Sequence, residues 1–369
     1  MLGKENQIMK GKIAVGPGDY IGPEVVAEGI KVLKAVEKKF GHQFELNYFD
    51  IGGASIDKFG DSVTPKNIEL CRSCDAILFG AAGGPKWDIP GTKAYANSAV
   101  LVIRKEFGLY ANLRPVVVFP GMEGCSPLKP ERVKGVDLIV VRENTGGAYF
   151  GQPKKQWVEN NERMSVDTMF YSEHEIVRIL RVGFELARSR RKKLTSVEKA
   201  NVTETGKLWR IIATEMHADY PDIELDHMYA DACTMWLLRA PAQMDVLVMG
   251  NLYGDIISDE ASTLAGSLGM GPSAQIAGLP KKGERVFGFY ESAHGSAPDI
   301  AGKGIANPIA TILSVALMLE HTYQLPKEAN AINAAVAKAV QTSRTPDIME
   351  EGKKRVSTTE MGDLIAAAL

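Results

Sequence analysis

Cysteine is scarce in this chain, with four residues in 369. Cys125 and Cys233 stand apart, and Cys71 and Cys74 form a single CxxC. No second CxxC and no nearby histidine completes a zinc set. The pair also precedes the apolar run 76–79, whereas a redox CxxC follows a strand. Reduced thiols are therefore expected, in keeping with a cytosolic compartment. Charge of one sign is lacking too: the net charge of −2 gives no electrostatic basis for binding nucleic acid or an anionic membrane. Long apolar runs are missing. The stretch 305–319 is broken by Asn307, Pro308, Thr311 and Ser314, and is too short and polar to span a bilayer. Residues 1–7 carry neither an apolar signal core nor an Arg-rich transit pattern, so a cytoplasmic location is expected. The glycines after the strand-like run 13–15 read GxGxxxG (Gly16, Gly18, Gly22), which excludes a Rossmann fingerprint. There is no internal repeat, low-complexity tract or disordered linker.

What is present describes a soluble globular protein with a large core. Apolar residues make up 45% and charged residues 24% of a chain long enough for two domains. Strand-like runs at 13–15, 44–49 and 76–79 alternate with helical patterns. In the first of these, Pro23 suits the first helical position and Val26, Ile30, Leu33 and Val36 form an apolar stripe. The alternation predicts an α/β fold with a largely parallel sheet. A long amphipathic helix is expected from His174 to about Arg190, and terminal helices over 329–342 and 359–369. The polar stretch before His174 suggests no element.

The chemistry gathers around residues 250–260. An apolar strand-like run, 244–249, leads into Gly250-Asn251-Leu252-Tyr253-Gly254-Asp255, and a helix beginning near Gly254 would put Asp255 and Asp259 on one face of its first turn. Two carboxylates that close repel unless a cation separates them, and hard divalent ions take such oxygen ligands. The alternative is a helix cap at Asp255 and a solvated Asp259. Arg104, Arg114 and Arg142 each adjoin apolar runs, and Arg142 closes the run 138–141. A guanidinium there calls for an anion, and its fork matches a carboxylate. With a divalent metal, the three arginines suggest a dicarboxylic or tricarboxylic substrate. Tyr149 sits beside the Gly146-Gly147 turn, Lys199 ends a strand among polar residues as a candidate base, and Asp231 ends another. The segment 80–87 offers bare backbone at a strand's end, where a ligand can approach closely. The loop 294–308 is long for one without its own element, which usually marks function.

These stretches resemble the β-decarboxylating, metal-dependent 2-hydroxyacid dehydrogenases of the isocitrate and isopropylmalate type. The resemblance runs from about Lys12 to the C-terminus. It is carried by GGPKW (83–87), NLRP (112–115), TGGAYFG (145–151), KAN (199–201), NLYGDIISDEAS (251–262) and HGSAPDIAGKGIANP (294–308). It implies a split large domain (1–109 plus 266–369) that binds NAD without a Rossmann motif, and a small domain (110–265) that makes a homodimer interface. Arg104, Arg114 and Arg142 would clamp the substrate carboxylates, with Val100 and Leu101 facing the group on C3. Asp255 and Asp259 would bind Mg²⁺ or Mn²⁺, joined by Asp231 from the partner subunit. Lys199, also from the partner, would accept the hydroxyl proton as hydride leaves C2, and Tyr149 would help protonate the enolate left by loss of CO₂. Gly83, Gly84, Glu291, His294, Gly295, Ser296, Ala297, Asp299, Ile300 and Asn307 would form the NAD site. The implied substrate is 3-isopropylmalate, within leucine synthesis. Homoisocitrate, isocitrate, 3-methylmalate and tartrate are the alternatives within the same chemistry, and a non-catalytic regulatory subunit lies outside it. Asn144 stands where leucine is usual for isopropylmalate, and echoes the tricarboxylate enzymes.

Overall fold

A computed structural model describes residues 8–89, 95–281 and 283–369. The strands that matter are β1 (Lys10–Gly18), β2 (Gln43–Tyr48), β3 (Ala76–Ala81), β4 (Ala111–Val117), β5 (Asp137–Glu143), β6 (Lys155–Glu159), β7 (Glu162–Val166), β8 (Lys193–Glu198), β9 (Glu224–Tyr229), β10 (Val246–Met249), β11 (Pro272–Ile276) and β12 (Gly288–Ser292). The helices are α1 (Gly22–Phe40), α2 (Gly53–Phe59), α3 (Pro65–Arg72), α4 (Ser98–Glu106), α5 (Pro130–Val133), α6 (Glu173–Ser189), α7 (Glu204–His217), α8 (Ala230–Arg239), α9 (Asn251–Thr263), α10 (Ile309–His321), α11 (Pro326–Thr342) and α12 (Thr358–Ala368). Cys71 and Cys74 are free and buried, and burial pushes the Cys71 thiol up to about 12.

Ten strands form one sheet in the order β2-β1-β3-β12-β11-β4-β5-β10-β8-β9. The sheet is mixed. β2, β1, β3 and β12 are mutually parallel, as are β5, β10, β8 and β9, while β12–β11, β11–β4 and β4–β5 pair antiparallel. The two parallel blocks therefore run in opposite directions, and the reversal happens at the centre. Antiparallel neighbours need no crossover helix, so β4 and β11 let the chain pass from one block to the other and return. The parallel expectation holds for the blocks and fails at their junction.

Helix α1 forms as its sequence suggests: Pro23 occupies the first turn, and Val25, Val26, Val32, Leu33 and Val36 are buried. Each such side chain contributes about 1.5–3 kcal/mol on burial. A capping box of Ser172 and Glu175 starts α6, as a hydroxyl and a carboxylate three residues apart can satisfy two free N–H groups. The polar stretch before α6 holds a hairpin, β6 with β7, paired from Lys155↔Val166 to Glu159↔Glu162. Its side chains are mostly exposed, so no apolar alternation marked it in the sequence. No helix of the described residues is long and apolar enough to cross a membrane.

The fold brings three loops together beyond the carboxyl ends of β1, β3 and β12. Gly18 has φ 73°, and a Cβ there would lie 1.9 Å from the Ala81 carbonyl oxygen. Only glycine lets β1 and β3 approach so closely at that turn. Asp19 follows, accepting from the backbone N–H groups of Gly53 (2.8 Å), Ala54 (2.9 Å) and Gly83 (3.0 Å). Gly41, at the end of α1, also has a left-handed φ of 81° but nothing within 4 Å of an added Cβ. Gly41→Ala should cost about 1–2 kcal/mol from backbone strain alone. Gly18→Ala should lose about 1–3 kcal/mol more through overpacking. Urea unfolding midpoints check this; equal losses would show that the β1–β3 approach is not a constraint.

Candidate active site

Strand register builds the floor of the site. Arg142 on β5 pairs with Asn112 on β4, and Asn112 pairs with Gln275 on β11. Neighbours in register point to one face of a sheet, as do residues two apart on one strand. Arg114, Asn144, Ser273 and Glu291 therefore join the same face, with Ser273 opposite Glu291. The result is a polar row at the antiparallel centre, roofed by α4 and α9.

Helix α9 starts at Asn251, one turn earlier than the sequence suggested, so Asp255 lies in the second turn. The Tyr171 hydroxyl accepts from the Asn251 N–H (2.7 Å) and supplies the cap that Gly250 lacks. The Asn251 side chain turns to the floor: its oxygen accepts from Arg142 Nε (2.9 Å) and Nη2 (2.7 Å), and its amide donates to the Gly146 carbonyl (3.0 Å). Gly254 permits this crossing, because a Cβ there would lie 2.6 Å from Arg142 Cγ.

The three arginines are 6% (Arg104), 6% (Arg114) and 1% (Arg142) exposed, and they meet different partners. Arg142 Nη1 donates to Asp255, and its guanidinium lies 5.5 Å from the centre of the Tyr149 ring. Arg114 donates to Asn112 (3.0 Å), Ser258 (2.7 Å) and Asp259 (2.8 Å), with Asp255 3.8 Å away. Arg104 donates from Nε to Gln275 (2.7 Å). Burial, then the charge of Arg142, pushes Arg104 down to about 10. Tyr149 donates to Asp255 at 2.5 Å. Burial and that neighbouring carboxylate push the phenol up to about 12, so it remains a protonated acid near neutrality.

The carboxylates of α9 titrate in opposite senses. Burial works to raise Asp255, but Arg142, the Tyr149 hydroxyl, Arg114 and Arg104 outweigh it and hold the group below 3.8. Asp259 is raised by burial, despite Arg114, with the charge of Asp255 acting in the same direction.

A cleft of about 630 Å³ opens over this floor, within the range of small-molecule sites. Arg104, Arg114, Arg142, Tyr149, Asp255, Val100, Leu101, Glu291, His294 and Gly295 all line it, half of the site residues singled out from sequence. Asp259 joins through Arg114. Lys199 and Asp231 do not line the cleft; they bond each other at 2.7 Å, Lys199 just past β8 and Asp231 in the first turn of α8. Gly83 and Ser296 tie two loops together, the Ser296 hydroxyl donating to the Gly83 carbonyl at 2.9 Å. Gly84 has φ 144° with the Tyr20 ring against it, and Ala297 has φ 42°. Ile300 closes a turn on Ala297, and Asp299 is exposed. The amide of Asn307 is engaged within the protein: Nδ2 donates to Asp347 (3.0 Å), and Oδ1 accepts from the Ile309 N–H (3.0 Å).

Asp19, Asn112, Asn251 and Gln275 position the site, yet nothing in the sequence assigned them this work. Asn112 lies within NLRP and Asn251 within NLYGDIISDEAS. Gln275 carried no signal, because its role comes from strands paired across distant parts of the chain.

Comparison with known proteins identifies the family and the fold. The family model described as isocitrate/isopropylmalate dehydrogenase matches residues 12–365. The chain is 52% identical over 357 residues to the 3-isopropylmalate dehydrogenase of a Dehalococcoides mccartyi strain, covering 96% of this chain and 98% of that one. It is 51% identical to the enzyme of that name from Xanthomonas euvesicatoria, with 98% and 100% covered. Among solved structures, isocitrate dehydrogenase from Methylococcus capsulatus superposes with a TM-score of 0.83 at 35% identity, over 97% of this chain and 98% of that one. A β-decarboxylating dehydrogenase from Thermococcus kodakarensis gives 0.75 at 34%, over 97% and 95%.

The electrostatics of Asp255 set an acid limit. Its folded value lies below 3.8, so the stability it contributes is complete above that value and is lost as pH falls through the folded value. Asp255→Asn should flatten the fall in urea midpoint as pH drops through the ordinary carboxylate range and below it. An unchanged acid slope would show that the arginines do not stabilise the ionised carboxylate.

Proposed function

The chain belongs to the isocitrate/isopropylmalate dehydrogenase family and is an oxidoreductase of it; from that premise we propose that its cleft oxidises and decarboxylates 3-isopropylmalate with NAD and a divalent metal, as leucine biosynthesis requires. The observation that carries this reading is the junction of Arg104, Arg114 and Arg142 with Asp255 and Tyr149 beneath an apolar turn of α4. We place the cofactor-binding domain at 1–109 plus 266–369 and the smaller one at 110–265, and assign the enzyme to the cytoplasm.

In this mechanism the arginines hold the substrate carboxylates, bidentately where the forks allow. The partner's Lys199 would take the proton from the 2-hydroxyl oxygen; NAD, when bound, would supply the acceptor for the hydride from C2. After CO₂ departs, Tyr149 delivers a proton to C3, its high pKa keeping that proton available. Asp255 and Asp259 are hard oxygen ligands suited to Mg²⁺ or Mn²⁺. Among the described residues no three His, Cys, Asp or Glu side chains group as a metal site, so the fit calls for the partner's Asp231. A bound metal would supply Lewis-acid polarisation of the hydroxyl and its neighbouring carboxylate. For NAD, Glu291 and Gly295 line the cleft, and Gly83, Gly84, Ser296, Ala297, Ile300 and Asn307 would complete the site from the segments after β3 and β12. His294 fits there: its Nδ1–H donates to the Gly295 carbonyl (2.8 Å), burial keeps the ring neutral, and its buried Nε2 has no protein partner. Asp299 would accept from a ribose hydroxyl and repel a 2′-phosphate, which favours NAD over NADP.

Substrate choice rests on α4. Val100 and Leu101 line the cleft beside Arg104, and an isopropyl group gains about 0.8 kcal/mol per buried methylene-sized unit there. A third carboxylate in the same place would lose hydration without a new partner. Asn144, the residue suggesting a tricarboxylate, is fully buried and bonded to Gln275. A silent regulatory subunit is disfavoured, since Lys199, Tyr149, Asp231, Asp255 and Asp259 are all present.

A substrate panel with the purified protein tests this. NADH should form fastest with 3-isopropylmalate, less with 3-methylmalate, and very poorly with homoisocitrate or isocitrate, and exhaustive chelation should stop it. Val100→Ser should weaken the first substrate more than the last. If isocitrate wins, the apolar-turn assignment is wrong; if chelated enzyme keeps full activity, the metal assignment is wrong.

The shared site has its own test. Lys199→Ala and Asp255→Asn homodimers should each be nearly inactive. In a mixed dimer both lesions fall in one site and leave the other intact, so co-refolding should restore substantial activity. Failure to recover despite verified subunit exchange would place Lys199 in its own chain's site.

A further inference from the structure

Arg104 differs from the other two arginines in what holds it. Arg142 and Arg114 are ion-paired with Asp255 and Asp259. For Arg104, among the described residues, no carboxylate lies within ion-pair distance, and the Gln275 carbonyl oxygen fixes its Nε at 2.7 Å. That oxygen also accepts from Asn144 Nδ2 at 2.8 Å, while Gln275 Nε2 donates to the Glu291 carboxylate. The orientation of the Gln275 amide follows from chemistry: a guanidinium can only donate, so the amide oxygen faces Arg104 and Nε2 is left for Glu291. Burial raises the Glu291 carboxyl, and Gln275 stands between it and Arg104, holding the guanidinium without neutralising it. All four residues are buried, and Asn144 Nδ2 is steadied further by the Leu109 carbonyl at 3.3 Å.

We propose that Gln275, braced by Asn144, is a positioning residue for Arg104. It fixes the guanidinium by a neutral acceptor, so the two Nη groups and the full positive charge remain for a carboxylate of the substrate. The proposal rests on the substrate reading above for what Arg104 binds. Substitutions at 275 have distinct consequences. Methionine keeps the bulk and leaves Arg104 Nε without its acceptor. Glutamate gives Arg104 a resident counter-ion that competes with substrate and sits against Glu291. Leucine at 144 removes only the brace.

The test measures KM for the acid, KM for NAD and kcat, together with the Kd of the acid by calorimetry in Mg²⁺. Gln275→Met should raise KM and Kd for the acid about tenfold or more, the loss expected for one hydrogen bond to a charged group, with KM for NAD little changed; the thermal midpoint should fall, because buried Arg104, Asn144 and Glu291 each lose a partner. Gln275→Glu should weaken acid binding further. In an Arg104→Met background, Gln275→Met should add almost nothing, since the two act through one contact. Asn144→Leu should give a smaller rise, about threefold, and decides the matter if Gln275→Met fails to fold. A rise confined to KM for NAD would show that Gln275 acts through Glu291 and would overturn the proposal, as would unchanged acid binding or full additivity with Arg104→Met. The acid used is whichever one the wild type oxidises best. A wild type that prefers isocitrate therefore sinks the substrate reading, while the same titrations still decide the role of Gln275.

Discussion

Three buried guanidinium groups, two on the strand floor and one brought by α4, are the constraint that the rest of the site answers. Burial alone disfavours each charge, and each arginine also raises the cost of its neighbours, as the lowering of Arg104 and Arg142 shows. The protein compensates unequally. Asp255 and Asp259 come down from α9 to two of the arginines, and a neutral amide holds the third. Arg104 is left without a direct counter-ion among the described residues, which suits a substrate carboxylate. On the proposed reading, ligands exchange these internal ion pairs for external ones: a divalent cation takes the carboxylates, and the acid takes the arginines. Both partners of every broken pair then find a new one, which avoids the penalty of leaving a buried charge alone.

That arrangement depends on the antiparallel centre of the sheet. Arg142, Asn112 and Gln275 come into line because β4 and β11 run against their neighbours in a fixed register. A slip of one residue in either pairing would turn the polar row to the opposite face and bury it among apolar helices. The register is held from both ends. Gly254 admits the Arg142 side chain under α9, and Asn251 grips it by two nitrogens. The outer parallel blocks contribute differently, with the loops beyond β1, β3 and β12 gathered by Asp19 and Ser296 into the far rim of the cleft.

The sequence disclosed those parts of the molecule whose signals are local. The apolar stripe of α1, the run before α9, and the arginines adjoining apolar stretches all followed from neighbours a few residues away. Asp255 could be picked out as a ligand candidate, but its helix began a turn early because Tyr171, about eighty residues upstream, supplies the cap. The hairpin of β6 and β7 escaped because its exposed side chains do not alternate. Gln275 and Asp19 escaped for another reason: each works by touching groups brought close only by the sheet, Gln275 reaching Arg104 across 171 positions and Asp19 reaching Gly83 across 64. No periodicity encodes such contacts. Asn144 drew notice only as an echo of the tricarboxylate enzymes, because its contact with Gln275 is likewise made by strands paired far apart in the chain.

On the shared-site reading, Lys199 and Asp231 mark where a single chain stops being sufficient. They pair with each other at 2.7 Å, away from the cleft that holds the arginines, and each thereby quiets the other's charge. On that reading, a base and a metal ligand placed so would serve no reaction within their own chain. Near them, the adjacent helices α8 and α9 present Met235 (57%), Trp236 (40%), Leu238 (47%) and Ile256 (59%) to the outside. Large apolar side chains clustered on neighbouring helices favour association over exposure to water. On the shared-site reading, burying that surface against a second copy also carries each Lys199–Asp231 pair toward the other's carboxylates. Asp231 can then leave its lysine for a metal, and the lysine is released as a base at the same moment. Assembly and catalytic competence would then be one event, driven by apolar surface and timed by the exchange of a single ion pair.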